Sequence, residues 1–290
     1  MKKFKKSYMG GDLKNFSLMM SKQKANKNNF EVVSSGLSKS LILDSGIKFN
    51  FFPNNKDSRV EGVHFVNMVR RSIDKYIEEN GIVDKVDENP QVQTFNSDGI
   101  SLAGDNDVCC LDLNSCYWRT ANILGYIDDK LYKKGVESGL KKGLLISIGA
   151  LNKLKHIDKY ENGKKVSTRI DEDYKIRYSP FYWNIIKRVR DLMMTVYEQL
   201  GDDFYMWLTD CAFIKPDSYD KVEKIFNDAG YPFKIYKARF TLFDGINVFW
   251  YDYKAEQSKT MPLSNRDIKD SYLTWKTIRD YNAKINNNEI

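Results

Sequence analysis

The sequence predicts an α+β protein: an antiparallel sheet that carries two lone acids and is backed by helices. Three observations lead to this class. First, residues 108–113 and 204–214 are short apolar runs holding one acid each, Asp112 and Asp210. Such runs are too apolar for surface loops and too short for buried helices, so they read as interior strands. Second, residues 180–200 place Phe181, Ile185, Ile186, Val189, Leu192, Met193 and Val196 at helical spacing, and a second helix is expected over 217–228. Third, Asn162-Gly163 and Asp244-Gly245 separate strand-like flanks, and such pairs accept the positive φ of a tight hairpin.

At 290 residues, with 42% apolar and 13% aromatic side chains, the chain can fill one large or two modest domains. Its 46 basic and 39 acidic residues leave a net charge of +7, which suits a polyanionic partner without requiring one. No stretch approaches the roughly 18 apolar residues of a membrane span. The start, Met1 to Lys6, leads into polar sequence, so neither a signal peptide nor a membrane partner is expected, and the location expected is the cytoplasm. Cys109, Cys110, Cys116 and Cys211 lie beside the two acidic strands without CxxC spacing. Buried reduced thiols, a zinc site and a disulfide all remain open for them.

Taken in order, residues 1–58 are rich in Lys, Asn, Ser and Gly around a few aromatic islands and read as a loosely ordered basic arm, either a solvated tail or a phosphate-tracking one. From 60 to 80, Val63, Val66, Val69, Ile73 and Ile77 recur at three and four, and Gly81 stops the helix. His64 on it reads as a structural histidine. Residues 82–106 read as turns with a strand near 92–95. After the strand 108–113, Ser115 is placed to cap a helix beginning at Tyr117. Two helical segments follow to residue 153, broken around 125–134. Ser179-Pro180 opens the helix that Gly201 ends, with Pro at the first position. A strand pair over 233–243 and 246–253 comes next, and a helix over 264–284 closes the chain.

A carboxylate at the tip of a buried strand costs several kcal/mol unless a cation or dense hydrogen bonding compensates it, so Asp112 calls for a metal. The segment Asp112, Ser115, Tyr117 resembles motif A, D-x-x-S-L-Y-P, of family B DNA polymerases. Further motifs follow in the same order. Lys142 and Ser147 match motif B, K-x-x-x-N-S-x-Y-G, while Ile146, Gly149 and Ala150 stand where it has Asn, Tyr and Gly. The stretch around Thr209 and Asp210 resembles motif C, Y-x-D-T-D-S, with those two residues retained, Tyr205 near its start and Leu208 in place of its first Asp. Lys237 and Arg239 match the K-K-R-Y element beyond it.

The resemblance implies a polymerase-type palm over 59–253, with the basic arm over 1–58 ahead of it. It also implies a short fingers insertion at about 119–153 and a thumb remnant over 254–290. Asp112 and Asp210 would then be catalytic ligands of two Mg²⁺ (or Mn²⁺) ions. Ser115, Tyr117, Lys142 and Ser147 would bind the nucleotide, with Tyr117 excluding a 2′-hydroxyl, and Lys237 and Arg239 would contact DNA. The expected activity is addition of dNTPs to the 3′ end of a DNA primer–template. No proofreading exonuclease is expected ahead of Asp112. The alternative is a catalytically inactive palm that binds nucleic acid or a replication accessory protein. Small size points to a viral or mobile-element protein in a bacterial host cell.

Overall fold

The structure, a computed structural model, describes residues 6–35, 38–52, 59–84, 86, 93–103, 106–243, 247–262, 268 and 276. The elements begin with β1 (Lys6–Asp12), α1 (Leu13–Ala25), β2 (Phe30–Ser35), β3 (Ser38–Leu43), β4 (Ile47–Phe52) and α2 (Arg59–Asn80). Next come β5 (Gln93–Phe95), α3 (Ser97–Ala103), β6 (Asp107–Leu113), α4 (Cys116–Ile123), α5 (Asp129–Glu137) and α6 (Lys141–Gly149). Then follow β7 (His156–Glu161), β8 (Lys164–Ile170), α7 (Glu172–Leu200), β9 (Phe204–Leu208), β10 (Cys211–Ile214), α8 (Tyr219–Asp228), β11 (Phe233–Phe243), β12 (Asn247–Asp252) and β13 (Gln257–Pro262). The class is α+β, as expected. The chain divides into two compact units, Met1–Lys85 with Tyr126–Tyr182 and Val86–Gly125 with Trp183–Ile290, rather than into arm, core and tail.

The first unit holds a six-stranded sheet in the order β1-β4-β3-β2-β7-β8, antiparallel except where β1 runs parallel to β4. Residues 6–35 and 38–52 therefore correct the expectation of a loosely ordered arm. Its apolar residues pack between this sheet and α1: Phe30, Val32, Leu41 and Phe51 form one core with Phe16 of α1 and Tyr160 of β7, and Phe30 stacks on Tyr160 at 4.4 Å between ring centroids. Each strand is too short and too polar on its outer face to show a sustained period. Positive φ at both Asn162 and Gly163 gives the β7–β8 hairpin its tight turn, as the sequence predicts. On α2, Val66, Val69 and Ile73 are buried while His64 is exposed.

The second unit is built on a seven-stranded sheet in the order β13-β12-β11-β6-β10-β9-β5, with antiparallel pairing throughout. One face carries Cys109, Leu111 and Leu113 of β6 with Ala212 and Ile214 of β10, packed with Val189, Met193 and Val196 of α7 and Val222 and Phe226 of α8. The other face gathers Val108, Cys110, Cys211, Phe213, Phe240 and Trp250 with Ile100 of α3.

Several element boundaries differ from expectation. The long helix begins at Glu172, not at Pro180, because Asp171 accepts the Tyr174 N–H at 3.3 Å and Glu172 and Asp173 fill the first turn. Proline thus lies inside the helix. The run 204–214 is not one strand but the hairpin β9–β10. Residues 257–262, at the start of the stretch 254–290 expected as a thumb remnant, pair with β12 as β13. Of the helix expected over 264–284, Ile268 and Lys276 are helical; its other residues, like the turn Asp244-Gly245, lie outside the described residues.

Candidate metal and nucleotide site

Asp112 is the penultimate residue of β6, the central strand between β11 and β10. Side chains alternate along a strand, so Asp112 shares the face of Val108 and Cys110 rather than that of Leu111 and Leu113. Directly across the ladder stand Cys211 of β10 on one side and Lys234 of β11 on the other. Asp112 is half-buried.

Asp210 arrives beside it by a different device. Leu208 pairs with Cys211, which leaves Thr209 and Asp210 as a two-residue hairpin turn. Thr209 has φ 58° and Asp210 does not share the positive sign, the pattern of a turn whose first position favours glycine. A β-branched residue there is strained. The Trp207 indole N–H donates to the Thr209 carbonyl at 2.8 Å and helps hold the turn. The expectation of Asp210 at the middle of a strand is corrected accordingly: the acid sits on the tip that faces the end of β6. Two backbone hydrogen bonds lock this geometry. The Leu113 N–H donates to the Asp210 carbonyl at 2.9 Å, and the Asn114 N–H donates to the Pro232 carbonyl at 2.7 Å.

The two carboxylates act on each other electrically. Burial first, and the Asp112 charge second, push the Asp210 carboxyl up to about 6, against a hydrogen bond from its own backbone N–H. The Cys116 thiol is pushed up by burial and then by the Asp210 and Asp112 charges, so it stays protonated. Burial likewise raises Cys109 and Cys110. All four cysteines are buried and free, the first of the three readings left open for them. On the Asp112 face, the Cys211 thiol lies 3.2 Å from the Tyr236 hydroxyl, which burial keeps protonated.

Ser115 and Tyr117 follow the strand closely but not as a side-chain cap. Ser115 takes a left-handed conformation, φ 49° and ψ 41°, and its side chain makes no capping hydrogen bond to α4. The turn it makes brings α4 back onto the sheet, where Tyr117 is half-buried against the helix-side core. Arg119 anchors α4, donating through Nε to the Gly230 carbonyl at 2.7 Å, and the Thr120 and Tyr231 hydroxyls lie 2.9 Å apart.

Of the remaining expected residues, two lie on the opposite face of this sheet and two belong to the other unit. Lys237 and Arg239 alternate onto the face opposite Asp112, across from Cys109 and Asp107, and both are exposed. Lys234 is the residue across the ladder from Asp112 on the same face of the sheet; strand period two, counted back from Tyr236, gives its face, while the β6–β11 register gives its place beside Asp112. Lys142 and Ser147 belong to α6 in the other unit. Lys142 is exposed there, whereas Ser147 is fully buried and donates its hydroxyl to the Leu144 carbonyl at 2.7 Å.

Among the described residues no group of three or more His, Cys, Asp or Glu side chains is placed to hold a metal ion. If Asp112 and Asp210 hold a cation, their hard carboxylate oxygens fit Mg²⁺, which keeps water or substrate phosphate in its other positions, better than a structural zinc. No protein-family model, curated protein or solved structure matches the chain.

Proposed function

We propose that the chain is a metal-dependent nucleotidyltransferase resembling a minimal family B DNA polymerase, with Asp112 and Asp210 on a palm-type sheet. The observation that carries the reading is the convergence of these two acids from β6 and the β9–β10 turn, with Asp210 pushed up to about 6 by burial and by its neighbour. Like charges held this way cost free energy, and a bound cation offsets that cost.

Asp112 and Asp210 would hold the ions, Mg²⁺ or Mn²⁺. When bound, these would activate the attacking 3′-hydroxyl and stabilise the charge on the leaving pyrophosphate. The chain's own contribution is position. The hydrogen bonds from Leu113 and Asn114 fix the strand end, and Tyr117 follows on α4 as the residue to bar a 2′-hydroxyl. Lys234, beside Asp112, adds positive charge for a phosphate. The substrates are a DNA primer–template and dNTPs.

A labelled primer–template incubated with the protein, Mg²⁺ or Mn²⁺ and four dNTPs tests this. Extension is expected, and Asp112→Asn and Asp210→Asn each reduce it to background. Extension that both variants retain would refute the assignment. Leu208, where the resemblance calls for an acid, favours a second reading, a non-catalytic palm. Absence of extension together with DNA binding that weakens steeply with salt would establish it.

A further inference from the structure

The unit of residues 1–85 and 126–182 contains a concentration of positive charge that the two carboxylates do not use. Arg70 of α2 and Lys155, one residue ahead of β7, converge on Tyr174 near the start of α7, and Lys48 of β4 lies close enough to both to act on them electrostatically. The Lys155 ammonium lies 3.3 Å from the centroid of the Tyr174 ring, and the Arg70 guanidinium lies 4.9 Å from the same centroid. Arg70 Nε donates to the Tyr174 hydroxyl at 3.0 Å, and that hydroxyl donates to the Ala150 carbonyl at 2.6 Å.

Lys155 is ion-paired with Asp171, whose carboxylate lies 3.9 Å from its Nζ, beyond hydrogen-bond length. The nearby Asp74 is taken up by Arg177, at 2.7 Å, and by the Tyr178 hydroxyl, at 2.8 Å. Lys155 is only 16% exposed and Asp171 only 9%. Burial, with the charges of Arg70 and Lys48, pulls Lys155 down to about 7 while Asp171 works the other way. Burial and Arg70 also lower Lys48. Cations crowded into a partly desolvated place oppose folding unless an anion joins them. An arginine fork with two ammonium groups matches the oxygens of a phosphate. Lys48, Arg70 and Lys155 each keep some exposure, so such a group can reach them from water.

We propose that Lys48, Arg70 and Lys155 form a binding site for a phosphate monoester, carried by a nucleotide or by the end of a nucleic-acid strand. The proposal is independent of the metal site, and its test requires no divalent ion and no turnover.

Inorganic phosphate is titrated calorimetrically into the full chain at constant ionic strength, without divalent ions. Saturable binding of one phosphate per chain is expected. Binding near neutral pH draws protons onto Lys155, a heat that varies with the buffer's ionisation enthalpy. Lys155→Met, which keeps the stem, and Arg70→Gln each weaken binding by about tenfold or more. Should either variant fail to fold, lysine acylation of the unaltered protein with peptide mapping decides instead: phosphate protects Lys48 and Lys155. Absence of saturable binding up to tens of millimolar, affinity unchanged in both folded variants, or no protection would overturn the site. Competition by dATP assigns the phosphate to a nucleotide. Competition by a 5′-phosphorylated oligonucleotide, but not by dATP or the 5′-hydroxyl strand, assigns it to a strand end. Competition by none of them overturns the ligand class.

Discussion

At Asp210 the environment sets the sign of a pH effect. Its carboxyl has an ordinary value of 3.8 and is pushed up to about 6 in the fold. Between those values the folded chain binds more protons than the unfolded one, so this group's contribution to stability falls as pH rises through that window. Above it, the folded state carries the full cost of an ionised, half-buried Asp210 beside Asp112. Asp210→Asn removes that charge and is expected to stabilise the metal-free protein by about 1–3 kcal/mol near neutral pH, with the gain vanishing near pH ~4. Urea denaturation at the two pH values checks it; equal stability near neutrality would show that the carboxylates do not burden the fold. Adding Mg²⁺ should erase or reverse the advantage, because only the native aspartate pair gains from the cation. Asp112 was legible from sequence because a lone acid ends an apolar run. Lys234 was not, since its place beside Asp112 depends on strand register, which one sequence does not specify.

At the scale of the element, the β9–β10 hairpin shows where sequence signals run out. Thr209-Asp210 lacks the Gly or Asn that marks a two-residue turn, so the apolar flanks read as one continuous strand. The turn forms because Phe204, Trp207, Ala212 and Ile214 all have places in the helix-side core and the Trp207 indole holds the Thr209 carbonyl. Packing overrides local preference, and Thr209 is left at φ 58°. Replacing it by glycine removes the steric penalty, partly offset by glycine's greater freedom in the unfolded chain. Thr209→Gly is therefore expected to raise unfolding free energy by about 0.5–1 kcal/mol, measured by the urea midpoint at unchanged slope. A loss of stability would mean that the threonine side chain itself maintains the turn. By contrast, the hairpin at Asn162-Gly163 was fully legible, because its residues state their own backbone requirement. The helix α7 was half legible: its apolar face from Phe181 onward is plain, but its first turns depend on the Asp171 cap and on polar residues that carry no strong period.

The whole molecule is organised by crossings of the chain. Each compact unit takes two separate stretches of sequence, so the first 85 residues do not make a unit by themselves. This explains why the amino-terminal region looks like a tail when read alone. Its strand β2 needs β7 from more than a hundred residues later, Phe30 needs Tyr160 to stack upon, and α2 packs against α6. The sequence separation of these partners hides the sheet from any local pattern, while the second sheet shows itself in the apolar runs of β6, β9 and β10 even though the turn between β9 and β10 does not. A fragment of residues 1–85 should consequently fail to fold. It would expose one edge of β2 and the apolar side of α2, and lack part of the core that Phe30 joins. Poor amide dispersion in its NMR spectrum and exposed apolar surface by dye binding are the expected results. Well-dispersed resonances with native-like helix content would show instead that β1–β4 and the two helices suffice, and that β7 and β8 only extend a sheet already stable. Adding residues 126–182 through a flexible linker is expected to restore dispersion, because it returns β7, β8 and α6 together and completes the cationic cluster of Lys48, Arg70 and Lys155. Phosphate binding by that reconstituted unit would then place the anion site wholly within one folding unit.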